Sequence, residues 1–238
     1  MKAMGFIRGL LLAFGLLPWF VQASDADAFV AASRTGQAQL LEQWAASPDL
    51  QRLPLLVALR GENLFVDSAK QAFTRQGEQV VALASASSPT GALKPLRLTN
   101  RLRSLVTGAL ATHQLISDSV TQRQAATSTL QRDAQPAMLP FIQLRLAQEG
   151  DPDVKSGLSL VLANLQLASP SAEIRRQAIM LLGDSSDPEM QARLQPFTDK
   201  THEPDASVRA AASDSLARIQ QRMAIGDLLG QAFMGLSL

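Results

Sequence analysis

Across the second half of the chain, apolar residues recur every fourth position in short trios: Val154, Leu158, Leu162; Ile174, Ala178, Leu182; Val208, Ala212, Leu216. Gln122, Ala126 and Leu130 form a weaker version of the same phrase. Four-residue spacing places each trio on one face of an α-helix, and repetition predicts similar helices stacked side by side. The trios begin at 122, 154, 174 and 208, so two steps suit a two-helix unit and the middle one suits a single helix and a turn. A shift of 52 residues also matches Arg123 with Arg175, Ala126 with Ala178, Leu130 with Leu182, Pro136 with Pro188 and Met138 with Met190. Asp151-Pro152, Ser169-Pro170 and Asp187-Pro188 each set a capping side chain ahead of a proline, the usual punctuation of a helix start. Helical spacing also runs through Leu98, Leu102, Leu105, Val106 and Leu110.

Upstream the pattern is different. Phe29, Leu40, Leu41 and Trp44 predict helix between 26 and 46, and Leu50, Leu53, Leu56 and Val57 predict another to about Leu59, restarted or kinked at Pro54. Ser47 ahead of Pro48 is read as the cap of that second helix. Between Gly61 and Pro95, Leu64-Phe65-Val66 and Val80-Val81-Ala82-Leu83 flank polar residues around Gln76-Gly77-Glu78 and predict a small β-hairpin. Ala84 to Lys94, rich in Ser, Pro and Gly, reads as loop. Such an insert in a helical array is either a partner surface or a solvated excursion.

Both ends of the chain are apolar. Lys2 and Arg8 precede an uncharged run from Gly9 to Val21, and Val21-Gln22-Ala23 offers small residues at a cleavage position, so residues 1–23 read as a secretory signal peptide. The run is shorter than the roughly 20 residues of a membrane helix. At the other end Ile225, Leu228, Leu229, Ala232, Phe233 and Leu236 form a stripe, with no charge after Asp227. This stretch, residues 223–238, is either a helix capping the last repeat or one that leads towards a membrane segment.

The division expected is therefore a signal peptide at 1–23, a helical pair at 24–60, a hairpin and loop insert at 61–97, HEAT-like helical repeats at 98–222, and the apolar helix at 223–238. The fold class expected is all-α: a HEAT-like helical solenoid with a small β-hairpin insert.

Charge and composition narrow the chemistry. The net charge is +1, and since Lys2 and Arg8 lie in the leader, the remainder is formally −1. No basic surface is left to attract nucleic acid. There are no cysteines and only two histidines, His113 and His202, neither near a second ligand at metal-site spacing. Asp184-Ser185-Ser186-Asp187 lacks the Gly and distal Glu of a calcium loop. Phosphate cradles, nucleophile elbows and zinc-protease motifs are missing from the sequence, so no catalytic, cofactor or metal residue is nominated and no enzyme activity is expected. The one local basic cluster comprises Lys94, Arg97, Arg101 and Arg103. It is either a solvated first turn or, because cations there oppose the helix dipole, a site kept for a partner carboxylate or lipid phosphate. Asn100, Arg101 and Arg103 are its candidate contact residues.

Taken in order, the leader, the hairpin insert, Leu98-Thr99-Asn100-Arg101-Leu102-Arg103, the repeats with Asp151-Pro152-Asp153-Val154 and Ser207-Val208-Arg209, and the ending Leu228-Leu229-Gly230-Gln231-Ala232-Phe233-Met234-Gly235-Leu236-Ser237-Leu238 resemble one family. That family is the urea ABC transporter permease, a relative of the branched-chain amino-acid permeases, in the form with an extracytoplasmic domain ahead of its membrane helices. Thr99 stands where the family usually has Asn, and Val120 to Ala126 follows the repeat phrase loosely. The resemblance implies a HEAT-like N-terminal domain exported to the periplasmic face of the inner membrane, with the urea-conducting membrane domain expected beyond Gly235-Leu236-Ser237-Leu238. It implies two partners: the permease membrane domain or a partner permease subunit, and a periplasmic solute-binding protein. Membrane association would come through the part beyond this chain. From the residues alone, a free periplasmic interaction module unrelated to transport stands beside this reading.

Overall fold

The computed structural model describes residues 24–84, 88–184 and 188–235, with the side chains of 188 and 226–235 not included. The signal-peptide assignment, the Asp187 cap and the apolar stripe from Leu228 onward therefore lie outside the described residues or side chains. Within them the chain is mostly helical, with one small antiparallel sheet.

Helices α1 (Asp25–Ala31) and α2 (Arg34–Ala46) replace the single stretch expected at 26–46. The break falls where Ser33 accepts a hydrogen bond from the Gly36 N–H and so starts a new helix. Phe29, Leu41 and Trp44 are buried, with the Phe29 and Trp44 rings 5.7 Å apart. A 3₁₀ turn, Leu50–Arg52, precedes α3 (Leu53–Arg60). Ser47 does not cap it: Asp49 does, accepting from Gln51, while Ser47 closes α2. Because the tighter turn breaks the register ahead of Pro54, α3 buries Leu55, Leu56, Ala58 and Leu59, and the expected Leu50 and Val57 are exposed.

The expected hairpin is instead a four-stranded sheet. Strands β1 (Phe65–Val66), β2 (Ala72–Gln76), β3 (Gln79–Ala82) and β4 (Lys94–Pro95) stand in the order β3-β2-β1-β4, all antiparallel. Val80 and Val81 pair with Arg75 and Thr74 and not with the Leu64–Val66 run. The turn is Gly77-Glu78, where Gly77 takes the left-handed conformation (φ 63°) that a two-residue hairpin requires. Lys94-Pro95, read as the end of a loop, pairs with Val66 and Phe65. Asp67 shapes both loops at this edge by accepting hydrogen bonds from the Ala69, Gln71 and Thr90 N–H groups. The sheet is tied to the front helices by the Ala72 N–H donating to Asp27.

The remaining helices are α4 (Asn100–Gln114), α5 (Val120–Asp133), α6 (Leu139–Gln148), α7 (Pro152–Gln166), α8 (Ala172–Leu182), α9 (Pro188–Leu194) and α10 (Ala206–Gly235). Asp151 caps α7 as expected, accepting from the Asp153 and Val154 N–H groups with Pro152 at the first helical position. The cap of α8 is Ser171, two residues later than expected, and Ser169 accepts from the Ser171 N–H. The helix α10 passes residue 222 without a break, so 223 is not a boundary between elements. No described helix is long and apolar enough to cross a membrane.

Neighbours α5, α7, α8 and α10 pack in succession. The pairs α5/α7 and α8/α10 are parallel, since contacts run in the same order along both helices: Arg123 reaches Glu149 and Asn164 reaches the Gln131 carbonyl in the first pair, while Arg175 reaches Glu203 and Ser215 the Ile179 carbonyl in the second. The trio positions supply the core between them. Val154, Leu158, Ala178, Leu182, Val208, Ala212 and Leu216 are buried, as are Ala126 and Leu130, while Leu162 is half-buried and Ile174 is 38 % exposed. The buried side chains fall into two groups that divide within α7: Val154, Leu158 and Val161 face the front of the molecule, and Ala163 joins the cluster of α8 to α10.

Candidate functional site

The starts of these packed helices carry a repeated polar device. Arg123, Arg175 and Arg209 each occupy the fourth residue of their helix, in α5, α8 and α10. In each, one terminal nitrogen (Nη1) turns back to donate to the carbonyls six and five residues earlier: Ser117 and Asp118, Ser169 and Pro170, Glu203 and Pro204. This ties the incoming loop to the first helical turn.

Two of the three guanidinium groups also hold a carboxylate on their other edge. Arg123 Nε and Nη2 donate to the two oxygens of Glu149 at 3.0 and 3.1 Å, and Arg175 Nε and Nη2 to those of Glu203 at 2.7 and 2.8 Å. Each glutamate stands two residues ahead of the capping Asp of the next parallel helix, and accepts from that Asp's own N–H as well. Glu149 is 5 % exposed and Glu203 2 %. Burial would raise the Glu149 carboxyl, but the Arg123 hydrogen bonds, the Asp151 N–H and the charges of Arg145 and Arg123 together hold it below the usual range. For Glu203 the Arg175 hydrogen bonds dominate and lower it, against burial. Glu149 takes a second cation, Arg145, at 2.7 Å, and a polar notch of about 450 Å³ opens beside Arg123, Arg145 and Asp118.

The sequence missed these carboxylates. The 52-residue shift aligns Arg123 with Arg175, but Glu149 and Glu203 are 54 apart, so two extra residues in the later connection hide the match. The legible signal is local: Glu149-Gly150-Asp151 and Glu203-Pro204-Asp205, each opening a helix.

At the start of α4, Thr99 caps the helix by accepting from the Leu102 N–H, so Asn100, Arg101 and Arg103 do share its first turn as expected. Two of them are bonded within the chain at the surface. Arg103 donates through Nε to Glu62 at 3.0 Å, and through Nη1 to Asn100 Oδ1 at 3.0 Å. Arg101 remains outward, its side chain 78 % exposed and 3.7 Å from Glu42. It lines a notch of about 410 Å³ with Arg34, Thr35, Glu42 and Thr99. Lys94 and Arg97 are exposed.

The histidines are separated. His113 is fully buried at the end of α4, with Nδ1 2.7 Å from the Ala109 carbonyl and Nε2 without a partner. Burial lowers its basicity most; the Ala109 carbonyl and Asp49 act the other way and Arg52 adds to burial. His202 is exposed and stacks edge-on against Phe197 at 5.0 Å. Among the described residues no cluster of His, Asp and Glu has the arrangement of a metal site.

Comparison with protein families, with curated proteins and with solved structures finds no match to this chain.

Proposed function

We propose that this chain is a HEAT-like helical-repeat docking module, and that it serves as the extracytoplasmic N-terminal domain of an ABC-type urea permease of the branched-chain amino-acid family. The observation that carries the docking reading is the recurrence of one helix-joining device, Arg123 on Glu149 and Arg175 on Glu203, in two parallel helix pairs. Units joined in register in this way present extended faces, the usual working surface of repeat proteins. The transport assignment rests on the sequence resemblance described above. In this reading the exported domain positions a periplasmic solute-binding protein, or a permease subunit, beside the membrane part that conducts urea.

The test is genetic. Removing residues 24–222 in the producing bacterium is expected to abolish growth on urea as sole nitrogen source and to release the solute-binding protein from the membrane fraction. Unchanged urea uptake and unchanged association would overturn the proposal.

A further inference from the structure

The arginine at the fourth helical position and the glutamate ahead of the next cap come and go together. Arg123 in α5 meets Glu149 ahead of α7, and Arg175 in α8 meets Glu203 ahead of α10. Between them, α7 has Lys155 at that position, and the residue two before the cap of α8 is Ser169. A lysine lacks the planar fork that grips a carboxylate with two parallel hydrogen bonds, and a serine has no carboxylate to offer.

Arg209 breaks this pairing. It has the fork, and its Nη1 is already anchored on the Glu203 and Pro204 carbonyls at 2.9 and 2.7 Å, as in the two filled cases. Its Nε and Nη2 meet no carboxylate among the described residues, and the side chain is half-buried. In the filled cases the glutamate lies 26 and 28 residues after the arginine; the same interval from Arg209 reaches Gly235 to Ser237, which carry no carboxylate. The adjoining surface of α10 is exposed at the small residues Ala206, Ala210, Ser213 and Ala217, which leaves room for a helix to lie close.

We propose that the open edge of Arg209 is a docking site for a partner polypeptide that presents a glutamate two residues ahead of a capped helix start, laid parallel to the first turns of α10. A second copy of this chain is a poor occupant, because its Glu149 and Glu203, the two such carboxylates here, are buried against Arg123 and Arg175. This proposal rests on the docking reading and names the chemistry of one contact within it.

The probe is a synthetic peptide of residues 199–219, whose Glu203-Pro204-Asp205 is the sequence that fills the fork of Arg175. It is titrated to millimolar concentration into the chain from Ser24 onward, with the arginine Nε–H resonances followed by NMR. The expected result is a saturable shift of the Arg209 resonance, weakened about tenfold or more when the peptide carries Glu203→Gln, as loss of charge-assisted hydrogen bonds implies. That control leaves the protein unaltered. Arg209→Lys in the protein is expected to weaken binding similarly. No shift of Arg209, or equal binding of the Gln peptide, would overturn the proposal. Because this readout needs no transporter, it fails or succeeds separately from the growth test of the docking function.

Discussion

Arg175 in α8 and Glu203 in the loop ahead of α10, 28 residues apart in the chain, meet through two hydrogen bonds of 2.7 and 2.8 Å at the same point where the glutamate also accepts the Asp205 N–H. One carboxylate thus joins the first turn of α8, the loop ahead of α10 and the cap of α10. Removing its charge leaves the guanidinium its loop-carbonyl contacts and at best one neutral acceptor in place of a paired carboxylate. Glu203→Gln is expected to lower stability by about 2 kcal/mol, the scale of a charge-assisted hydrogen bond lost from a buried site. Urea unfolding of wild type and variant measures it, and a change under about 0.5 kcal/mol would mean that the pair is no stronger than an exposed ion pair.

The same pairs set an acid limit. Glu149 and Glu203 have folded values below those of the unfolded chain, so the unfolded state binds more protons as pH falls. Their contribution is complete above the unfolded glutamate value, about 4.3, and is lost as pH falls through the lower folded values. Stability measured from pH 6 to pH 3 is expected to drop chiefly at the acid end, and the drop is expected to shrink in the Glu149→Gln, Glu203→Gln double variant.

His113 acts in a separate window. Its buried imidazole is harder to protonate folded than unfolded, so stability is complete above about 6.5 and declines as pH falls below it. Replacing it by leucine, which has no proton to gain, is expected to flatten the stability curve between pH 7 and pH 5. Persistence of the full slope in His113→Leu would assign the titration to another group.

The contact between α5 and α7 is close because position 157 is glycine. A Cβ there would lie 2.6 Å from the Thr127 Oγ1 and 2.8 Å from its Cβ. Gly157→Ala gains about 1 kcal/mol in helix propensity but forces an overpacked contact costing about 1–3 kcal/mol. A net loss of about 1 kcal/mol is expected, reversed by Thr127→Ala, and thermal unfolding of the two single variants and the double variant measures it.

Arg103→Ala is expected to change stability by less than about 0.5 kcal/mol, because both partners of the Arg103–Glu62 pair are largely exposed. Chemical denaturation of that variant checks the expectation.

The helices of the second half were legible because a four-residue apolar period survives at nearly every core position. Ile174 and Leu162 are exceptions: they keep the period and yet stand partly exposed, since the pattern records side-chain type and not what covers it. The sheet was legible only in part. β2 carries Phe73, Thr74 and Arg75 without a clean alternation, so the eye pairs the two obvious aliphatic runs and overlooks the strand between them. Two-residue strands such as Lys94-Pro95 have no period at all. At the helix starts the arginines were visible through the 52-residue shift, whereas their glutamates depend on a contact across 26 or 28 residues that a fixed shift does not preserve. The basic cluster at α4 was read as one surface, but its composition does not reveal that Glu62 lies against Arg103 and leaves Arg101 outward.

The most direct test of the docking function is site-specific crosslinking in the living cell, with a photoreactive amino acid at Ala210, which is exposed beside Arg209 on α10. The account predicts a discrete covalent adduct that contains a periplasmic solute-binding protein or a permease subunit, and that is lost when Arg209 is replaced by lysine. Uncrosslinked chain alone, or adducts solely with cytoplasmic proteins, would contradict it.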